Sequence, residues 1–180
     1  PIKYYKLYIE KYQKENTSIT SELYYISVNL YNTGKKDQAL ELQTYLTNKF
    51  PDSAKLNSYL AIFNVNNNNM KDFEKYSNKI LDYMDYNNNC YCEFVSPISS
   101  ALMEKKKYQE DLDFLIKASK KQPNSTTYAD IGKIYKIFNN NLEAEKNFKF
   151  SLELDSSNNE PLKELISLYK EQAEKLLKNK

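Results

Sequence analysis

One set of residues returns along this chain at a spacing of 33 or 34 positions, and that period limits the fold more than any other feature. Leu23, Ile26, Ser27, Leu30, Gly34, Ala39, Leu46 and Pro51 are matched, with every internal spacing intact, by Tyr128, Ile131, Gly132, Tyr135, Asn139, Ala144, Ser151 and Ser156. Between them lies Val95, Ile98, Ser99, Leu102, Lys106, Asp111, Ala118, Pro123, and a weaker copy runs Asn57, Leu60, Ala61, Asn64, Asn68, Phe73, Ile80, Asp85. From that weaker copy to the next the step is 38 residues, and the excess falls at Asn87–Cys92.

Leu23, Ile26, Ser27 and Leu30 sit at i, i+3, i+4 and i+7, the stripe of an amphipathic helix, as do Tyr128, Ile131, Gly132 and Tyr135, and Leu162, Leu165, Ile166 and Tyr169. Gly34, Pro51, the Asn66–Asn69 run, Pro123 and the Asn139–Asn141 run cut these stripes into short segments, too short for a coiled coil and suited to paired helices. The turn inside a pair needs a left-handed residue, which Gly supplies best and Asn next. Gly34, Asn68 and Asn139 fill that position, and Lys106 is the exception. Ser27, Ala61, Ser99 and Gly132 supply the small side chains that let the first helix of each pair approach its neighbour closely. Pro97 predicts a late start or a kink in the first helix of the third pair. Residues 2–15 read as a lone helix, and residues 161–178 as a capping helix with a polar back.

The side-chain inventory excludes several chemistries. There is no His and no Arg among the 180 residues. That removes Ser-His and Cys-His dyads, His-ligated zinc and the bidentate fork that reads phosphate or a guanine edge. Cys90 and Cys92 have no His or further Cys to complete a metal site, and a disulfide across one residue is strained, so they read as incidental or buried thiols. Asp111/Asp113 and Glu143/Glu145 are two residues apart on a helix and do not converge. The lysine clusters at Lys105–Lys107, Lys117–Lys121 and Lys175–Lys180 have acids beside them and read as solvated faces, which argues against nucleic acid as a partner. No apolar run approaches the ~18–20 residues of a membrane span. The chain begins at Pro1, as expected of an excised piece of a longer protein.

Segment 20–53, with Tyr24, Tyr31, Gly34, Ala39, Glu41 and Pro51, resembles the tetratricopeptide repeat (TPR) family, and segment 125–158 is nearly as close. Segments 54–87 and 92–125 are degenerate copies. The resemblance implies an all-α, right-handed α-solenoid of antiparallel helix pairs, forming one domain over residues 1–180. It also implies a non-catalytic scaffold, without cofactor or metal, that binds a peptide or protein partner in a groove lined by the first helices. Carried over position by position, the groove residues are Tyr24, Val28 and Tyr31 in the first pair and Lys55, Ile62 and Val65 in the second. Ser100 and Met103 follow in the third, and Lys133 and Lys136 in the fourth. A carboxylate clamp of the kind some TPR proteins carry is not expected, because Tyr24 and Val28 stand at the first clamp positions and Arg is absent.

Two further readings accompany this one. The chain could be the regulatory or substrate-recruiting region of a larger enzyme. The stretch Lys49-Phe50-Pro51-Asp52-Ser53 is also similar to junctions in bacterial cell-envelope assembly TPR proteins. A cytoplasmic location is the expectation, or an envelope location if a leader was removed. The degenerate middle predicts a weak junction near residues 85–100, with an apolar, aromatic half before it and a lysine half after it that suits an acidic segment of the partner.

Overall fold

A computed structural model describes residues 2–12, 17–85 and 90–178. Among the described residues the chain is helical throughout, without strands: α1 Ile2–Tyr12, α2 Thr17–Asn32, α3 Lys36–Lys49, α4 Ala54–Asn66, α5 Met70–Met84, α6 Ser96–Glu104, α7 Tyr108–Lys121, α8 Ser125–Ile137, α9 Asn141–Leu154 and α10 Asn159–Lys178. A π-helical turn, Tyr91–Val95, leads into α6. The expected pairs are α2/α3, α4/α5, α6/α7 and α8/α9, and the fold is the all-α helical repeat the period implies. The expected extension of the first helix to residue 15 and the Asn87–Asn89 stretch lie outside the described residues.

Each pair is closed by the same turn. Gly34, Asn68, Lys106 and Asn139 have φ of 84°, 58°, 56° and 57°, all left-handed. At each, the residue's own N–H donates three residues back and the next N–H donates five back, as in Gly34 to Tyr31 at 3.0 Å and Lys35 to Leu30 at 2.9 Å. Lys106 and Lys107 repeat the pattern onto Met103 and Leu102. These paired bonds satisfy the carbonyls that a helix C-terminus leaves open. Lys106 makes the turn despite its side chain, at a cost of about 1 kcal/mol relative to Gly.

Helix starts are set by polar caps where the sequence supplies them. The Ser53 hydroxyl accepts from the Leu56 N–H at 3.4 Å. Asn124 accepts from Thr126 and Thr127, and Asn140 from Glu143. Pro97 lies in the first turn of α6 and cannot donate, although the backbone before it is already helical, Val95 and Ser96 both being right-handed. The wider π-turn immediately before it is how the chain accommodates the proline that predicted a late start or kink.

Two compact units divide the chain at Tyr83/Met84, one spanning Pro1–Tyr83 and the other Met84–Lys180. In the first, α1, α2, α3 and α4 bury Ile9, Leu23, Tyr24, Leu42, Leu46, Leu56, Leu60 and Phe63 in one cluster. Phe148 and Ala144 of α9 pack with Leu165 of α10 in the second. Gly132 explains why a glycine occupies the middle of α8: a Cβ there would stand 2.6 Å from Cε1 of the Phe148 ring. At the start of α8 the Ser151 hydroxyl of α9 donates to the Ser125 carbonyl at 2.6 Å, and Asn158, just before α10, donates to the Ser125 hydroxyl at 3.0 Å.

One expectation about α10 is corrected. The helix buries Pro161, Leu165 and Leu168, while Leu162, Ile166, Tyr169, Leu176 and Leu177 are exposed. Its apolar residues cover more of the circumference than the neighbouring helices can cover, so its outer face is not uniformly polar.

Candidate protein-interaction surface

In the first unit, α2 and α4, the first helices of their pairs, are neighbours. Val28, Tyr31, Lys55 and Ile62 are half-buried on them. The Tyr31 ring meets Phe63 edge-on with centroids 5.0 Å apart, and the Lys36 ammonium lies 5.2 Å from the Tyr31 centroid. Those contacts fix the ring and leave part of it open.

Tyr24 and Val65 depart from the expectation, being only 6% and 1% exposed. Tyr24 stacks on Tyr59 with centroids 4.6 Å apart and donates a 2.9 Å hydrogen bond to the Tyr59 carbonyl. Burial pushes its hydroxyl above the ordinary tyrosine range, with Tyr25 and Tyr59 adding to the rise. The side chain is a tie between α2 and α4, not a surface offered to a partner. Tyr25, one residue on, is the exposed aromatic of the trio, 5.6 Å from Tyr24 and 5.7 Å from Tyr59.

In the second unit Ser100 is exposed, and Met103, Lys133 and Lys136 are half-buried. Both lysines are held by acids of their own unit. Lys133 Nζ lies 3.0 Å from Asp130 Oδ1 and 2.6 Å from Glu160 Oε1. Lys136 Nζ lies 3.2 Å from both Glu164 and Glu171 and donates to the Ser167 hydroxyl at 3.0 Å. Burial alone would lower the pKa of each lysine, but the surrounding carboxylates outweigh it and the net shift is upward. The sequence could not reveal this matching, because Glu160, Glu164 and Glu171 lie on α10, 27 to 35 residues from their partners.

Between α6 and α8 lies a cavity of about 210 Å³ lined by Ser96, Ser99, Ser100, Met103, Asp111, Asp130, Lys133 and Ile134. Three of the expected groove residues, Ser100 and Met103 from α6 and Lys133 from α8, therefore line one cavity. Asp111, from the first turn of α7, is fully buried there. Ser99 Oγ donates to its Oδ2 at 3.0 Å, and its Oδ1 has no hydrogen-bond partner. Leaving such an acceptor unsatisfied costs on the order of 1–3 kcal/mol. Burial pushes the Asp111 carboxyl up to about 8; the Ser99 hydroxyl opposes the rise and the Asp130 charge adds to it. Asp130 is itself engaged, its Oδ2 accepting from the Tyr91 hydroxyl at 2.6 Å.

Asp111, Asp130 and Tyr91 were absent from the expected surface. One signal did exist for Asp111: it stands in the register of Ala39 and Ala144, where the repeat calls for a small apolar side chain. Cys90 is buried and Cys92 exposed, neither of them in a disulfide, and burial pushes the Cys90 thiol up.

Stacked helix pairs with left-handed turns and small-residue contacts define a helical-repeat protein. Solved structures of TPR proteins share that architecture. A structure of PilF from Pseudomonas aeruginosa is similar at 21% identity, covering 86% of this chain and 69% of its own, with a TM-score of 0.51. The MamA protein is similar at 14% identity over 86% of this chain and 82% of its own, TM-score 0.54. A MamA double mutant gives 14% identity, 85% and 84% coverage, and a TM-score of 0.52. At these identities the likeness establishes the fold, which is TPR-like. No family model matches the sequence, and no curated protein matches it.

Proposed function

We propose that this chain is a non-catalytic protein-interaction scaffold whose first helices receive an extended or helical segment of a partner protein. The observation that carries the reading is the set of half-buried and exposed side chains held on those helices. Val28, Tyr31 and Ile62 offer apolar and aromatic surface in the first unit, and Ser100 and Met103 border a cavity in the second. Each is mounted on a rigid helix whose other face is core, which lowers the ordering cost of binding. The TPR-like fold supports the same reading by analogy of architecture.

The test is a random peptide display selection on the full chain, followed by calorimetric titration of the enriched peptides. Micromolar binding that falls at least tenfold in Val28→Asp or Ile62→Asp, with the helical circular dichroism spectrum unchanged, supports the scaffold. Enriched peptides whose affinity ignores both substitutions and Met103→Asp would remove it.

A further inference from the structure

The carboxyl group on the floor of the α6–α8 cavity is chemically unfinished. Asp111 is fully buried, and one of its two oxygens has no hydrogen-bond partner. At the matching positions of two other pairs the chain places Ala39 and Ala144, both fully buried. A methyl group fills this register in those pairs, so the repeat itself does not call for a carboxyl there. It borders instead a cavity of about 210 Å³. That is several times the roughly 30 Å³ share of one water molecule and below the roughly 300 Å³ of a small-molecule site. The space matches one long side chain.

The charges around it choose the kind of side chain. Asp130 Oδ1 and Oδ2 are taken by Lys133 and the Tyr91 hydroxyl, and Lys133 is shared further with Glu160. With Asp111 ionised, the lining acids Asp111 and Asp130 exceed the lining base Lys133 by one charge. An entering cation balances that excess, and an entering carboxylate adds to it. Met103 and Ile134 supply apolar contact for an aliphatic stem, and the Ser96 and Ser100 hydroxyls can accept further N–H bonds at the rim.

We propose that this cavity is a subsite for one lysine side chain of the partner segment, its ammonium donating to Oδ1 of Asp111. The proposal rests on the scaffold reading and gives it a chemical preference in the second unit. When the cavity is empty the Asp111 carboxyl keeps its proton, because burial disfavours the anion. On binding, the carboxyl O–H breaks, the proton leaves to solvent, and the carboxylate pairs with the incoming ammonium. A basic segment fits here, since Lys133 and Lys136 already have acidic partners.

The experiment follows the carboxyl carbon of Asp111 by NMR across pH in the full chain, with n-butylammonium chloride, n-butanol or sodium chloride added. Saturable binding of n-butylammonium, lowering the apparent Asp111 pKa by at least one unit (a tenfold change in proton affinity), is expected, with no change from n-butanol or salt. Equal effects of all three additives, or none, would overturn the subsite without any variant having to fold. Asp111→Asn should abolish the n-butylammonium shifts at Ser100 and Met103, and persistence of those shifts would also overturn it. For the peptides enriched on the chain, replacing one lysine by norleucine should cost at least tenfold in affinity, with little further loss in Asp111→Asn. Peptides that bind through Val28 and Ile62 but ignore every lysine would overturn the subsite and leave the scaffold reading standing. An Asp111 that responds to n-butylammonium while no enriched peptide depends on the helix faces would do the reverse.

Discussion

Phe148 of α9 packs against Gly132 of α8, so close that a methyl on the glycine would stand 2.6 Å from ring atom Cε1. Phe148 is fully buried and has nowhere to move. Gly132→Ala should therefore destabilise the chain by about 1–2 kcal/mol, overpacking outweighing the roughly 1 kcal/mol that alanine gains over glycine inside a helix. Urea unfolding checks it; an unchanged or raised midpoint would mean the α8–α9 contact is looser than described.

Lys106 is the left-handed turn residue that pays most in backbone strain, at φ 56°. Lys106→Gly should stabilise the α6/α7 pair by about 1 kcal/mol, whereas Gly34→Ala, at φ 84°, should lose a comparable amount. Thermal melts of the two variants should shift in opposite directions.

Asp111 makes stability depend on pH with a definite sign. The folded chain holds its proton up to about 8, against an ordinary value of 3.8 once unfolded. Below 3.8 the group is protonated in both states and costs nothing. From there to about 8 the unfolded chain releases a proton that the folded chain keeps, so this group's contribution weakens as pH rises, then levels off. Asp111→Asn removes that slope, and its melting temperature should exceed that of the parent by more at pH 8 than at pH 5. A pH-independent difference would place the carboxyl in a wetter site.

Tyr24→Phe tests whether Tyr24 is a tie or a contact. Losing the 2.9 Å bond to the Tyr59 carbonyl should cost about 1 kcal/mol of stability. Peptide affinity should stay within twofold, since the ring is 6% exposed. A large affinity loss at unchanged stability would return Tyr24 to the binding surface.

The Lys136 pairs with Glu164 and Glu171 are partly exposed, so Lys136→Met should change stability by no more than about 1 kcal/mol at moderate salt. Its effect should appear in binding: removing one cation from the acid-rich face should strengthen a basic peptide and weaken an acidic one. Titrations with matched basic and acidic peptides would expose the opposite preference if the lysines are in fact free to bind acids.

The period, the helix pairs and their turns were legible because each depends on residues close in sequence. A stripe at i, i+3, i+4 and i+7 and a left-handed Gly or Asn act within one or two turns, and the first helix of each pair ends just before the left-handed residue. Even Pro97 announced its disturbance, although the π-turn that absorbs it did not follow from spacing. The expected groove was read less well. Val28 and Ile62 came out half-buried, but Tyr24 and Val65 turned inward, because neighbouring positions on one helix differ in exposure by only a modest rotation.

What the sequence alone determined was therefore the repeat: its period, its small-residue contacts at Ser27, Ala61, Ser99 and Gly132, and the all-α fold they build. What only the tertiary structure decided was the electrostatic character of the surface. Lys133 and Lys136 look like free cations until α10 brings Glu160, Glu164 and Glu171 against them. Asp111 looks like an ordinary helix-start acid until α6 and α8 close over it. The physical reason is range. Helical periodicity is a local property of the chain, whereas charge pairing and desolvation depend on which distant segments exclude water from the same few ångströms of space.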